Sequence, residues 1–214
     1  ILSGLVGSEM CIRDRFWDVD SGSVMVDGVD IRELGTEQLM SRLSMVFQDV
    51  YLFDDSLIAN IRVGRPDASD EEVFRAADLS GVTSIANRLG WHTPVGEGGR
   101  LLSGGERQRV SVARALLKQA PIVLFDEATS ALDAENEANI LAAMDELREQ
   151  STFIVIAHKL DTIKSADQIV VLDEHGQVSQ LGTHSELSDV PGIYRHFWQQ
   201  RKAARGWKIN SGRD

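Results

Sequence analysis

Apolar and polar positions alternate along this chain in two rhythms. Short runs rich in branched apolar residues occur at Ile1–Val6, Met45–Phe47, Ile122–Phe125 and Phe153–Ala157. Runs of this length and composition predict strands buried on both faces, as in a parallel sheet. Between them the spacing turns helical. Ser69–Leu79 carries Ser69 as an N-cap and Glu72 at the capping-box position. Gly81–Leu89 predicts another helix, and Val110–Leu117 an amphipathic one that ends near Pro121. In Ala134–Glu149, Ile140, Leu141, Met144 and Leu147 share one face. Smaller units fill the rest. Ser23–Val26 and Val29–Ile31 flank Asp27-Gly28, a two-residue hairpin turn. Thr36–Ser41 starts a short helix, and Ile169–Leu172 with Gln177–Gln180 reads as a second hairpin.

The densest chemistry lies in Leu101–Asp133, LLSGGERQRVSVARALLKQAPIVLFDEATSALD. Ser103, Gly104 and Gly105 form a turn that opens a helix, followed by Glu106, Arg107 and Gln108. Exposed N–H groups at a helix N-terminus favour an anion, and glycines let a phosphate come close to the backbone. The strand that follows ends in two acids, Asp126 and Glu127. Ligands of parallel sheets sit beyond the strands' carboxyl ends, and two carboxylates there suit a divalent metal and an activated water. Taken singly, each feature is ordinary: a glycine pair often merely caps a helix, and an acidic pair is often merely solvated.

Their conjunction is specific. LSGGE followed by LFDEATSALD resembles the signature motif, Walker B and D-loop of the ATP-binding cassette (ABC) ATPases. The resemblance extends from Arg15 to about Leu187, and VFQDVYLFDDSLIANI resembles the exporter-type members. It implies an α/β fold: a RecA-like P-loop NTPase core, about 1–48 and 114–214, with an inserted α-helical ABC subdomain at about 49–113. The whole chain would be a single ABC ATPase domain, without the N-terminal part and any transmembrane domain. Asp126 would hold Mg²⁺ through water, and Glu127 would polarise the attacking water. Gln48 would reach both Mg²⁺ and that water, and His158 would sense the γ-phosphate. Family ATPases pair head to tail, so Ser103, Gly104, Gly105 and Glu106, with Asp133 of the D-loop, would face ATP at the dimer interface. The segment Asp49–Asn60 would receive coupling helices of a transmembrane domain, and Thr93–Gly99, with Glu97, would touch the opposite bundle.

The resemblance fails at one place. Where the family has G-x-x-x-x-G-K-[ST], Gly7 is followed here by SEMCIRDR, and no glycine anywhere in the chain precedes a lysine. That loop normally cradles phosphates with backbone N–H groups. Three readings stay open: translated adapter DNA, a natural degenerate site, or a substitute basic patch at Arg13 and Arg15.

Composition narrows the classes. A net charge of −11 argues against a nucleic-acid surface. No apolar run approaches the roughly 20 residues that span a bilayer, and no basic leader precedes one. Cys11 is the single cysteine, so an internal disulfide is impossible. The expected function is ATP binding and hydrolysis powering an exporter-type transporter. The partners would be a transmembrane domain and a second nucleotide-binding domain, at the cytoplasmic face of the cell membrane. The alternatives are a non-transport ABC ATPase and a degenerate cassette that completes a partner's site. The short spacing between Gln48 and Ser103 weighs against the first, since such factors carry long inserts.

Overall fold

The computed structural model describes residues 19, 21–47, 49–126, 134–156 and 163–206, with the backbone alone at 134–141 and 203–206. The chain forms two compact units: residues 25–155, and residues 1–24 with 156–214.

The larger unit opens with the antiparallel hairpin β1 (Met25–Val26) and β2 (Val29–Asp30). Asp27 and Gly28 both have positive φ, at 52° and 77°. That is the type I′ geometry an Asp-Gly pair favours. Helix α1 (Thr36–Arg42) leads directly into β3 (Leu43–Val46). Three helices follow: α2 (Leu57–Arg62), α3 (Asp70–Leu79) and α4 (Thr83–Leu89). The expected start of α4 at Gly81 is corrected. Gly81 belongs to the close of α3, where its N–H donates to Asp78 and that of Val82 to Ala77, the paired bonds of a Schellman ending.

The long helix α5 (Gly104–Lys118) then delivers the chain to β4 (Ile122–Asp126). Helix α6 (Ala134–Gln150) and β5 (Thr152–Ile156) complete the unit. The sheet order is β3-β4-β5. β3 and β4 are parallel, with Leu43 opposite Ile122 and Val46 opposite Phe125. Both are largely buried, as their continuous apolar composition requires. β5 departs from the expectation of a fully buried strand: Thr152 and Ile154 are exposed. It lies at the edge of the described sheet, so one flank has no described strand beside it.

Helix α5 is the axis of this unit. It packs on β3, on α6, and on both α2 and α3. The amphipathic reading of Val110–Leu117 is therefore corrected. Val110, Ser111, Val112, Ala113, Ala115, Leu116 and Leu117 are all buried, because the helix has a sheet on one side and helices on the other. The proposed boundary between 113 and 114 falls inside this one continuous helix. The core around it joins Leu57, Ile61, Val73 and Ile85 to Val123, Phe125, Met144 and Leu147. On α6, Met144 and Leu147 face this core as expected, while the side chains of Ile140 and Leu141 lie outside the described ones.

The smaller unit, over its described residues 163–206, holds the antiparallel hairpin β6 (Ile169–Leu172) and β7 (Val178–Gly182). The helices α7 (His184–Asp189) and α8 (Ile193–Gly206) follow. β7 runs two residues past the expected Gln180, because Ile169 pairs with Gly182. A small core of Ile169, Leu187 and Tyr194 joins these elements.

Candidate functional site

The described part of the site is built by the first turns of α5 and by the carboxyl end of the strand that this helix feeds. At the N-terminus, Ser103 is an N-cap in extended conformation, with φ −65° and ψ 166°. Its Oγ accepts from the Glu106 N–H at 3.2 Å, and the Ser103 N–H donates to Glu106 Oε2 at 2.8 Å. This reciprocal capping box satisfies two donors that a helix start would otherwise leave unpaired. Ser103 and Gly104 are exposed, and Gly105 is half-buried. A side chain added at Gly104 would meet only Arg107 Nη2, at 4.0 Å, so the backbone there is open to an approaching group.

The second oxygen of Glu106 is also engaged. Oε1 accepts from Arg88 Nη2 at 2.6 Å. Burial pushes the Glu106 carboxyl up, but the Ser103 N–H and then Arg88 outweigh it and hold it below its ordinary value of 4.5. Glu106 thus serves as a cap and an ion-pair partner, with neither oxygen turned outward to a ligand.

The carboxyl end of the sheet lies beside the first turns of the same helix. The parallel register puts Val46 beside Phe125, so the chain leaves β3 at Phe47 next to the point where β4 ends at the half-buried Asp126. Gln108, buried on α5, donates through Nε2 to the Phe47 carbonyl at 3.2 Å. One helix therefore carries the 103–105 turn and touches the end of β3, one residue before Gln48. Among the described residues no group of three or more His, Cys, Asp or Glu side chains could enclose a metal. Of the expected site, Ser103, Gly104, Gly105, Glu106 and Asp126 are described, whereas Gln48, Glu127, Asp133 and His158 lie outside the described residues. The segment 8–15 lies outside them too.

The expected docking segment takes a definite shape. Asn60, buried on α2, holds it: Nδ2 donates to the carbonyls of Phe53 (3.0 Å), Asp55 (3.3 Å) and Ser56 (3.1 Å). Its Oδ1 accepts from the Phe53 N–H at 2.9 Å and from Arg114 Nη2 at 2.7 Å. Arg114 also donates to the carbonyls of Asn60 (2.7 Å) and Tyr51 (3.0 Å). Burial lowers its pKa to about 10. With the backbone fixed, Leu52 turns into the core, while Tyr51 and Phe53 stand out in a T-shaped pair, 58% and 52% exposed. Glu97 is exposed at the start of a short 3-10 turn, Glu97–Gly99.

Sequence reasoning missed Asn60, Arg88 and Arg114. The signal for the first and third was present: a single amide or guanidinium inside an otherwise apolar helical run, at a position that must be buried, needs partners. Arg88 had no such signal, because its partner lies across a loop.

Residues 10–130 match the family model described as ABC transporter. The chain belongs to the ABC transporter family. It is 46% identical over 182 residues to the ATP-dependent lipid A-core flippase of Neisseria meningitidis serogroup A, a match that covers 84% of this chain and 29% of the relative. To the flippase of the same name from Legionella pneumophila strain Paris it is 45% identical over 193 residues, covering 89% and 33%. A solved bacterial Atm1-family ABC exporter with ATP bound superposes with a TM-score of 0.84 at 42% identity, covering 90% of this chain and 34% of that one. The α/β fold read from the sequence is therefore that of the cassette of an ABC exporter. The chain spans about a third of the length of these relatives. No helix among the described residues is long and apolar enough to cross a membrane.

Proposed function

We propose that this chain is the ATP-binding and ATP-hydrolysing domain of an exporter-type ABC transporter, which powers transport by closing head to tail on a second such domain. The observation that carries the reading is the 103–105 turn, open to solvent on a helix whose other end feeds the strand bearing Asp126. Bound ATP and Mg²⁺ would supply the transferable γ-phosphoryl group and neutralise its charge. The residues present fit them: an exposed capped helix start with open space at Gly104, and a carboxylate at the carboxyl end of a parallel strand. In this reading Ser103, Gly104 and Gly105 bind the nucleotide held by the partner, with Asp133 beside them. Glu106 shapes the turn. Asp126 and Gln48 hold Mg²⁺, Glu127 orients the water, and His158 senses the γ-phosphate.

The exposed Tyr51–Phe53 surface fits a transmembrane domain's coupling helices, and in this reading the domain works at the cytoplasmic face of a membrane. Residues 49–113 form the helical subdomain in this reading, and the remainder forms the core. The relatives' named cargo, lipid A-core, makes an amphipathic lipid the first transport substrate to try. The net charge of −11 favours no nucleic-acid partner.

With no G-x-x-x-x-G-K-[ST] in the chain, the half-site it offers a partner is better furnished than the one for its own nucleotide. The expected result is negligible turnover by the chain alone. Hydrolysis should appear when it is mixed with a second copy whose residues before Phe16 are replaced by a strand, a G-x-x-x-x-G-K-[ST] loop and a helix. That copy also carries Ser103→Arg, so catalysis depends on the turn of the unaltered chain. Ser103→Arg in the unaltered chain should then abolish turnover. Robust hydrolysis by the chain alone, lost in Glu127→Gln, would overturn the half-site reading.

A further inference from the structure

Helix α4 is bound to the first turns of α5 by two bridges that run in opposite directions. Arg88, near the end of α4, donates to Glu106 at 2.6 Å. Arg109 on α5, buried, donates back to the Gly81 carbonyl at 3.0 Å, just before α4, and to Ser84 Oγ at 3.2 Å, in its first turn. The pair ties α4 to the first turns of α5 at two points. Glu106 stands between Arg88 and the Ser103 N–H, with one oxygen for each. Arg88 thus holds the oxygen that the capping box leaves unused.

We propose that Arg88 is a positioning residue: through Glu106 it locks the 103–105 turn in the form that receives a partner's nucleotide. The proposal rests on the reading of that turn given above. Arg88 touches no nucleotide in this role. It raises the fraction of molecules whose turn is competent before the partner arrives. The apparent affinity of a closing dimer scales with that fraction.

A second path reaches the same turn. The loop after α4 is paired to the aromatic segment, with Ile58 N–H donating to Trp91 O at 3.1 Å and Val95 N–H to Asp55 O at 3.0 Å. Leu101 N–H then donates to Val95 O at 3.1 Å, two residues before Ser103. The turn is thus tied to the exposed Tyr51–Phe53 surface by backbone on one side and to α4 by Arg88 on the other.

The test uses the two-copy assay with Mg²⁺–ATP as the probe, and varies Arg88 in the unaltered chain. Arg88→Met should raise the KM for ATP by about 1.5-fold to fivefold, the range of a partly exposed ion pair, and leave kcat at saturation nearly unchanged. Arg88→Lys should recover part of the effect. Arg88→Met placed on Glu106→Gln should add nothing, because the strut is already cut. In the chain alone, amide exchange at 104–107 should quicken by a similar factor in Arg88→Met. An unchanged KM together with unchanged exchange would overturn the proposal, as would a loss of kcat at constant KM. If Ser103→Arg leaves turnover intact, the reading of the turn falls and this inference falls with it. If Ser103→Arg abolishes turnover while Arg88→Met is silent, only the inference falls.

Discussion

Single carboxylates set the ends of helices in this protein. Glu72, Glu106 and Glu186 each close a capping box, on Ser69, Ser103 and Thr183. All three are held below the ordinary glutamate value of 4.5: Glu72 and Glu186 chiefly by the N–H of the capping residue, and Glu106 by Ser103 and Arg88 against its burial. A carboxyl depressed in the folded chain contributes stability above its unfolded pKa, and loses it as pH falls through the folded value. Thermal stability should therefore decline as pH drops below about 4.5. Glu106→Gln should flatten part of that decline in melting curves taken across the acid range. A wild-type acid limb that the variant leaves unaltered would refute the assignment.

At the scale of elements, α5 does most of the organising, and one buried polar side chain and one close backbone approach show how. Arg114 reaches from inside the core to Asn60 and the Tyr51 carbonyl, so it joins α5 to α2 and to the aromatic segment together. Arg114→Met keeps the bulk but strands the Asn60 and Tyr51 oxygens. It should cost about 3 kcal/mol and lower the melting temperature by roughly 6 to 12 °C. Amide exchange should rise first at 51–60. The second point is a close approach. A Cβ at Gly64 would lie 2.3 Å from the Arg114 carbonyl oxygen, a backbone atom that cannot swing aside. Gly64→Ala should destabilise by about 1–3 kcal/mol, read in denaturant unfolding. A silent Gly64→Ala would mean that α2 and α5 are less tightly apposed than described.

For the whole molecule, the consequence concerns assembly. On the half-site reading proposed above, a chain with no G-x-x-x-x-G-K-[ST] should not self-associate on ATP. Size-exclusion chromatography of the chain alone should give one elution volume with or without Mg²⁺–ATP. Mixing with the loop-bearing copy should shift it to a dimer when Glu127→Gln is present in that copy to slow hydrolysis. ATP-driven self-association of the unaltered chain would contradict the half-site reading.

The sequence by itself determined the elements whose cause is local. The Asp27-Gly28 turn, the Ser69–Glu72 box, the helix start at Ser103–Gly105 and the strand from Ile122 follow from dihedral preference, short-range hydrogen bonds and apolar runs, and they stand where those rules put them. The family was legible for the same reason: LSGGE and LFDEATSALD are contiguous. Much of the candidate site, at Gln48, Glu127, Asp133 and His158, was read in that way and lies outside the described residues. Tertiary structure decided what depends on neighbours far along the chain. Val110–Leu117 looked amphipathic because Ser111 and Arg114 interrupt its apolar pattern. Packing between a sheet and two helices buries it nearly all round, and Arg114 finds its partners 54 and 63 positions away. The Arg88–Glu106 bridge spans 18 positions and a loop, so no periodicity encodes it. Only the fold, by bringing the end of α4 within reach of the first turns of α5, carries that arginine to the carboxylate that shapes the turn.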